Sequence, residues 1–86
     1  MPFRRSDEPE LDALTRALAV QVTAERVRRG LTQVELAALC GTTQSAVARL
    51  EKGTRPPRLD TLLRIANALD CELEVHLRPR TTERKP

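Results

Sequence analysis

Aromatic side chains are almost absent from this chain. Its 86 residues include a single phenylalanine, Phe3, and no tryptophan or tyrosine. The hydrophobic core must therefore consist of leucine, valine, isoleucine and alanine, which favours packed helices. The same scarcity argues against single-stranded RNA platforms, because these stack bases on aromatic rings. The length suits one domain, and a domain this small buries only roughly 60% of the surface that its unfolded chain exposes.

Long apolar segments are missing too. The apolar runs fall far below the ~18 residues that a bilayer span requires. No hydrophobic signal-peptide core follows the start of the chain. We therefore expect a soluble, cytoplasmic protein with no membrane partner.

Metal ligands and catalytic groups are scarce as well. Cys40 and Cys71 lack metal-binding spacing, and a single histidine, His76, adds too few ligands for a zinc site. We expect no metal and no cofactor, with both cysteines reduced and packed as small hydrophobic residues; a redox switch is the alternative. The chain also has no plausible nucleophile–base pair and no phosphate-binding loop, so an enzyme is not expected.

Basic charge is concentrated in the middle of the chain. The formal net charge is +3, and the isoelectric point is about 9.5. Residues 26–58 carry seven lysines and arginines against two glutamates, a local charge of +5. The "SDEPELD" stretch at residues 6–12 is acidic instead. A local basic excess favours a polyanionic partner, although charged helices are often only solvated surfaces.

Capping signals and glycines divide the chain into elements. We predict a flexible arm at residues 1–9 and a helical domain at residues 10–70. The first helix begins after Asp7, a candidate cap, and ends before Gly30. Leucines and valines at helical spacing define its predicted inner face: Leu11, Leu14, Leu18 and Val22, with Val27 nearby.

Three further helices follow. Thr32 and Glu35 form a T-x-x-E capping box for the second helix, which ends at Gly41. Thr43 caps a third helix that ends at Gly53. Two consecutive prolines then enforce a loop. The fourth helix extends to about residue 70, and its predicted inward residues are Leu59, Leu62, Leu63, Ile65, Ala66 and Leu69.

The hydrophobic period changes after the fourth helix. In "ELEVHLR", Leu73, Val75 and Leu77 alternate strictly with polar residues, which is typical of a strand. We assign residues 71–79 to this strand. Residues 80–86 are polar and predicted to be disordered.

The third helix has a polar front with no acidic residue. On a helical wheel Val47 and Leu50 lie at the back, and the front carries Gln44, Ser45, Ala48 and Arg49. These residue types suit base edges: glutamine pairs with adenine, arginine with guanine, serine with either, and an alanine methyl contacts the thymine methyl. A short glycine turn before such a helix fits helix-turn-helix geometry. The alternative is an ordinary polar surface on a small bundle.

The stretch "LTQVELAALCGTTQSAVARLEKG", followed by "LDTLLRIANAL", resembles the helix-turn-helix family of the phage repressors and Cro, also called the XRE family. The resemblance covers roughly residues 22–69. It rests on T-Q-x-E-L-A, a glycine four residues later, T-T-Q, and L-E-x-G. It implies an all-α fold of four to five helices and a non-enzymatic regulator that binds double-stranded DNA.

The resemblance also implies roles for single residues. Gln33 hydrogen-bonds a phosphate. Thr43 caps the third helix, which reads the DNA bases, and lies near a second phosphate. Arg26 pairs inward with Glu51. The residues that approach bases are Gln44, Ser45 and Arg49, and those along the DNA backbone are Arg55 and Arg58. Two departures stand out. Arg58 replaces the serine that often caps the fourth helix, so that Asp60 must help, and an alternating strand replaces a fifth helix.

The strand has no sheet to join within the chain, so that its edges would be unpaired. Two copies can pair antiparallel about a twofold axis on Val75. Leu73 then faces Leu77, Glu74 faces His76, and Glu72 faces Arg78 of the other copy. An axis on His76 is the competing register, and docking on the chain's own helices is the alternative to dimerisation.

A Cro-type domain followed by a dimerising strand resembles the HipB-type antitoxins, which repress their own operon and hold a toxin. The sequence therefore predicts a homodimeric repressor of a palindromic operator, either an antitoxin with a toxin partner or a free-standing or phage-type regulator. A protein-interaction adaptor that does not read DNA is the alternative from another class.

Overall fold

A computed structural model describes residues 7–81 of the chain. It contains four α-helices in this order: α1 Glu8–Arg28, α2 Gln33–Cys40, α3 Gln44–Lys52 and α4 Leu59–Ala68. The all-α prediction is confirmed. Most of the predicted arm and tail, at residues 1–6 and 82–86, lies outside the described residues. Within residues 7–81, no helix is both long enough and apolar enough to cross a membrane.

The start of α1 differs in detail from the prediction. Asp7 occupies the N-cap position, but its side chain makes no capping hydrogen bond. Its backbone is helical, with φ −88° and ψ −10°, whereas a capping side chain reaches the first turn from an extended backbone. The helix begins at Glu8, inside the segment assigned to the arm. Glu8 and Glu10 place negative charge in the first turn, where the helix dipole favours it.

The boundaries of α2 and α3 follow the sequence signals. Thr32 Oγ1 accepts a hydrogen bond from the Glu35 amide at 3.0 Å, and Glu35 Oε1 accepts one from the Thr32 amide at 2.8 Å, which completes the capping box. Thr43 Oγ1 accepts from the Ala46 amide at 3.1 Å. Gly41 ends α2 in the left-handed region with φ +70°. Local chemistry therefore fixes the short turn between the two helices.

The core forms where α1, α2, α3 and α4 meet. Leu36 of α2 and Val47 of α3 are the largest fully buried side chains. The cluster around them includes Val22, Ala37, Cys40, Leu50, Ile65 and Leu69. As the sequence predicts, aliphatic side chains and alanine fill the interior. Both cysteines are free thiols, Cys40 buried and Cys71 half-buried, and burial raises the pKa of the Cys40 thiol.

Four apolar side chains predicted near an inner helix face are instead mostly exposed: Leu14, Val27, Leu59 and Leu63. In α1 the buried line runs through Thr15, Ala19 and Val22, and Thr15 Oγ1 donates to the Leu11 carbonyl at 2.8 Å. A Cβ atom at Gly53 would lie 3.1 Å from the Ala19 Cβ. α1 approaches the end of α3 so closely that small side chains occupy the contact, and the leucines are turned to its edges.

The C-terminal segment forms no strand within the described chain. After α4, Asp70 adopts φ +55°, and the Cys71 amide donates to the Ala66 carbonyl at 2.8 Å. Leu73 is half-buried, but Val75 is 73% exposed and Leu77 is 99% exposed. The alternative in which this segment docks on its own helices is therefore wrong for these two side chains. The strand across a dimer stays a prediction, because a lone copy offers it no partner.

Candidate nucleic-acid interface

The front of α3 is exposed as the helical wheel predicts. Val47 and Leu50 are buried on its back, whereas Gln44, Ser45 and Arg49 are exposed. Ala48 is half-buried. The turn that begins at Gly41 and the Thr43 cap leave the N-terminal end of α3 open to solvent. Its backbone amides and helix dipole favour an approaching phosphate.

A chain of hydrogen bonds joins the buried side of this helix to its exposed front. Arg26 of α1 forms a bidentate pair with Glu51 of α3: Nε donates to Oε2 at 2.7 Å and Nη2 to Oε1 at 2.9 Å. Gln33 Nε2 donates to Glu51 Oε1 at 3.0 Å. Gln44 Nε2 then donates to Gln33 Oε1 at 2.8 Å. The inward pairing of Arg26 with Glu51, expected from the family resemblance, is present in the structure.

This series of hydrogen bonds fixes the orientation of the Gln33 and Gln44 side-chain amides. An ionised carboxylate only accepts hydrogen bonds, so Gln33 must turn its NH₂ group toward Glu51. Gln33 Oε1 then faces Gln44 and accepts from its NH₂ group. Gln44 retains one N–H and its Oε1, which together match the N7 acceptor and N6 donor of adenine. Gln33 retains a second N–H for a phosphate oxygen.

Hydrogen bonds and opposite charge hold the Arg26–Glu51 pair ionised, although the pair is mostly buried. Their side chains are only 13% and 6% exposed. Burial by itself raises the pKa of Glu51, but hydrogen bonds from Arg26 and Gln33, together with the positive charge of Arg26, outweigh it and leave that pKa below its ordinary value of 4.5. The hydrogen bond to Glu51 raises the pKa of Arg26. Arg26 Nη1 also donates to the Leu31 carbonyl at 2.7 Å, so the pair braces the entry to α2.

Exposed basic residues continue the surface beyond α3. Lys52 closes the helix, and Arg55 and Arg58 follow in the loop to α4. Arg58 Nη2 lies 3.1 Å from Asp60 Oδ2, with both side chains largely exposed. Asp60 Oδ1 accepts from the Thr61 amide at 2.8 Å, so Asp60 assists the start of α4, as predicted. A surface pair of this kind is weak, and Arg58 can exchange it for a phosphate.

The link from Gln33 to Glu51 is absent from the sequence-based prediction. The two residues lie 18 positions apart on different helices, and the helical wheel describes one helix at a time. A polar residue at the first position of α2 was the only signal. Among residues 7–81, no group of three or more histidine, cysteine, aspartate or glutamate side chains could hold a metal ion.

A short glycine turn leads into a capped helix, which has an apolar back and a polar, partly basic front. This geometry defines a DNA-binding helix-turn-helix domain. The HTH_3 helix-turn-helix family model matches residues 22–76. The chain therefore belongs to that family. The prediction of a non-enzymatic DNA-binding protein of the Cro and phage-repressor type is confirmed at the level of the family.

Relatives and solved structures agree with this assignment. The chain is 39% identical over 59 residues to the uncharacterized HTH-type transcriptional regulator y4dL of Sinorhizobium fredii, a match that covers 69% of this chain and 30% of the relative. It is 36% identical over 59 residues to an uncharacterized HTH-type transcriptional regulator of Haemophilus influenzae, a match that covers 69% of this chain and 60% of the relative. The chain thus spans less than two thirds of the length of these curated relatives.

Two crystal structures share the fold. The restriction-modification controller protein C.AhdI from Aeromonas hydrophila superposes with a TM-score of 0.68 at 34% identity, covering 71% of this chain and 88% of that protein. An HTH_3 family transcriptional regulator from Vibrio cholerae superposes with a TM-score of 0.69 at 27% identity, covering 72% of this chain and 35% of that protein. The Cro/repressor-like fold class is therefore shown.

Proposed function

We propose that this protein is a sequence-specific transcriptional repressor that binds a palindromic operator in cytoplasmic DNA as a homodimer. The observation that carries the proposal is the front of α3. It exposes glutamine, serine and arginine side chains on a helix whose back is buried in the core. The relatives of this protein are named as transcriptional regulators, which supports transcriptional regulation as the function of DNA binding.

In this proposal α3 enters the major groove. Gln44, oriented by Gln33, pairs with adenine, and Arg49 one turn later pairs with guanine. Ser45 contacts a neighbouring base edge, and the Ala48 methyl group lies against a thymine methyl. The side chains that contact phosphates and fix the docking orientation are Gln33, Thr43, Arg55 and Arg58.

Dimerisation explains how one short helix reaches useful specificity. A twofold protein presents two copies of α3 to the two halves of a palindrome. The predicted ribbon of residues 71–79 supplies the twofold contact, with Val75 on the axis. Its apolar side chains Val75 and Leu77 are exposed in the single copy and gain burial only from a partner.

The test is a gel shift on the DNA upstream of the gene, against a scrambled duplex of equal length. Arg49→Ala should cost about 1–3 kcal/mol on the cognate site and relax preference at one base pair in each half-site. Arg64→Ala removes the same charge from an exposed position on α4 and is the matched control. Equal losses for Arg49→Ala on cognate and scrambled DNA would contradict base reading, and no shift on any duplex would favour the adaptor.

A second candidate function is that of an antitoxin. The observation that favours it is the first half of α1, where Glu8, Glu10 and Asp12 precede Leu14, which is 58% exposed. DNA reading does not require this surface, and a toxin could bind it. Co-expression with a neighbouring reading frame tests the idea. Growth arrest that this chain relieves, and that the Leu14→Glu variant fails to relieve, would support it; a neighbouring gene without toxicity would contradict it.

A further inference from the structure

An open apolar groove lies between α1 and α4, and none of its lining residues belongs to α2 or α3. Its volume is about 390 Å³, which exceeds the volume of a single aliphatic side chain. Val20 and Ala24 form one wall, and Ile65 and Leu69 lie on the other, with Cys71 and Glu72 at the end. An apolar groove that is open to solvent can accept an apolar side chain, whose burial there is favourable.

The C-terminal segment leaves the helical domain from this groove. Cys71 and Glu72 are at once the last lining residues and the first residues of the predicted strand. Further along, Val75 and Leu77 extend into solvent, 73% and 99% exposed. The chain therefore places an unfilled apolar groove beside an unburied apolar segment, and its own segment does not enter the groove.

We propose that the groove of each copy binds residues 75–80 of the partner subunit. This inference rests on the proposed homodimer and adds to it a binding surface outside the ribbon. With the twofold axis on Val75, Leu77 of the partner subunit lies opposite Leu73, and Arg78 of the partner subunit lies opposite Glu72. Cys71 lines the groove and lies on the same face of the strand as Leu73, so this register delivers the partner's Leu77 to the groove entrance.

Charge supports the same occupant. The groove end carries Glu72, and Asp70 precedes it in the chain. The incoming segment carries Arg78 of the partner subunit, which the register brings opposite Glu72, and Arg80 of the partner subunit, which follows it toward the end of the strand near Asp70. With the axis on His76 instead, the partner's Leu77 would face Val75, two residues and roughly 7 Å further from the groove. The groove thus also selects between the two registers.

Disulfide trapping tests the occupant. A Cys71→Ser background removes the half-buried thiol. One chain then carries Ala24→Cys and a second chain, distinguished by a tag, carries Leu77→Cys. After mixing and mild oxidation, a covalent heterodimer of the two chains is expected. Val34→Cys, at an exposed position on α2, replaces Ala24→Cys in the control and should give no such product.

A charge placed in the groove provides a second readout. Val20 and Val34 are 67% and 62% exposed, so Val20→Glu and Val34→Glu are matched changes inside and outside the groove. Val20→Glu should raise the dimer dissociation constant by roughly tenfold or more, whereas Val34→Glu should leave it unchanged in sedimentation velocity.

The outcomes separate this inference from the proposed function. An intact dimer without the heterodimer crosslink, or with equal responses to Val20→Glu and Val34→Glu, would overturn the groove contact and leave the homodimer standing. A crosslink that forms only when both cysteines lie in one chain would show that the segment occupies its own groove, which also overturns it. A wild-type protein that is monomeric in sedimentation velocity would contradict the proposed homodimer itself.

Discussion

At the scale of single residues, the carboxylate of Glu51 governs how a base would be read. It accepts hydrogen bonds from Arg26 and Gln33. Because the NH₂ group of Gln33 donates to Glu51, its Oε1 atom accepts a hydrogen bond from the NH₂ group of Gln44. A glutamine with free rotation about its last torsion could present its amide in either sense. Here the sense is set by an ion pair that a DNA contact need not touch. In the proposed complex, the base preference of Gln44 would therefore depend on Arg26 and Glu51, which lie outside the contact surface.

Gln33→Ala should reveal this dependence. It removes the proposed phosphate contact, which weakens binding to every sequence, and it also releases the amide of Gln44. The preference for adenine at the position that Gln44 reads should fall as well. The measurement is the ratio of dissociation constants for the cognate site and a site substituted at that base pair. Asn67→Ala, at an exposed amide side chain of α4, is the control; an unchanged ratio for Gln33→Ala would contradict the relay.

Glu51→Ala should destabilise the fold strongly, because it leaves the buried charge of Arg26 without its partner. A loss of about 3–5 kcal/mol in the free energy of unfolding is expected. Glu25→Ala is the control, since Glu25 also pairs with arginines, Arg28 and Arg29, but on the surface. That change should cost no more than about 1 kcal/mol. Urea denaturation of both variants gives the comparison, and equal losses would contradict the buried pair.

The same pair predicts a direction for acid sensitivity. The pKa of Glu51 in the folded state lies below the ordinary 4.5, so its stabilising contribution is complete above that value. It declines as the pH falls from 4.5 through the lower folded pKa. The stability of wild-type protein should therefore fall more steeply below pH 4.5 than that of Glu51→Ala.

At the scale of elements, the ends of helices were predictable and their faces less so. The Thr32 box, the Thr43 cap and the three glycines act over three or four residues, so sequence spacing reveals them. Which face of α1 turns inward depends on how closely α1 approaches α3, and no local pattern encodes that distance. The leucine spacing therefore predicts an inner face that is partly wrong, because Thr15 and Ala19 make the contact. The Gln33–Glu51 link was missed because it joins two helices.

A comparison of alanine substitutions at Gly53 and Gly30 tests how closely α1 approaches the end of α3. Both adopt a left-handed backbone, with φ +73° and +70°, so alanine at either position is strained by about 1–2 kcal/mol. A Cβ at Gly30 meets nothing within 4 Å, whereas one at Gly53 would lie 3.1 Å from the Ala19 Cβ and 3.4 Å from the Arg16 Cα. Gly53→Ala should lower the melting temperature more than Gly30→Ala. Equal effects would mean that only backbone strain operates.

At the scale of the whole molecule, the four helices present two unlike surfaces. The front of α3 is polar and partly basic, and it suits DNA. The groove between α1 and α4 and the segment that follows it are apolar. α1 takes part in both, since Arg26 supports the reading helix and Val20 lines the groove. A dimer built on the apolar surface would leave both reading helices free to contact DNA.

The ribbon gives a prediction for the assembled molecule. Cross-strand opposite charges contribute only about 0.2–1 kcal/mol each, so they select the register more than they hold the dimer. Burial of Leu73, Val75 and Leu77 should dominate, at about 25 cal/mol per Å² of apolar surface removed from water. Val75→Glu should therefore dissociate the dimer, because it sets two acidic groups against each other on the apolar face.

The charge pairs are tested by a swap. Glu72→Arg alone should weaken the dimer slightly, since it places two arginines opposite each other at each end of the ribbon. Glu72→Arg combined with Arg78→Glu should restore it, because every pair again has opposite signs. Sedimentation velocity on wild type and these variants measures the dimer, and operator affinity should decrease in parallel with it. A wild-type monomer at micromolar concentration, or a Val75→Glu protein that still dimerises, would refute the ribbon. A double variant no better than Glu72→Arg would instead refute the register centred on Val75.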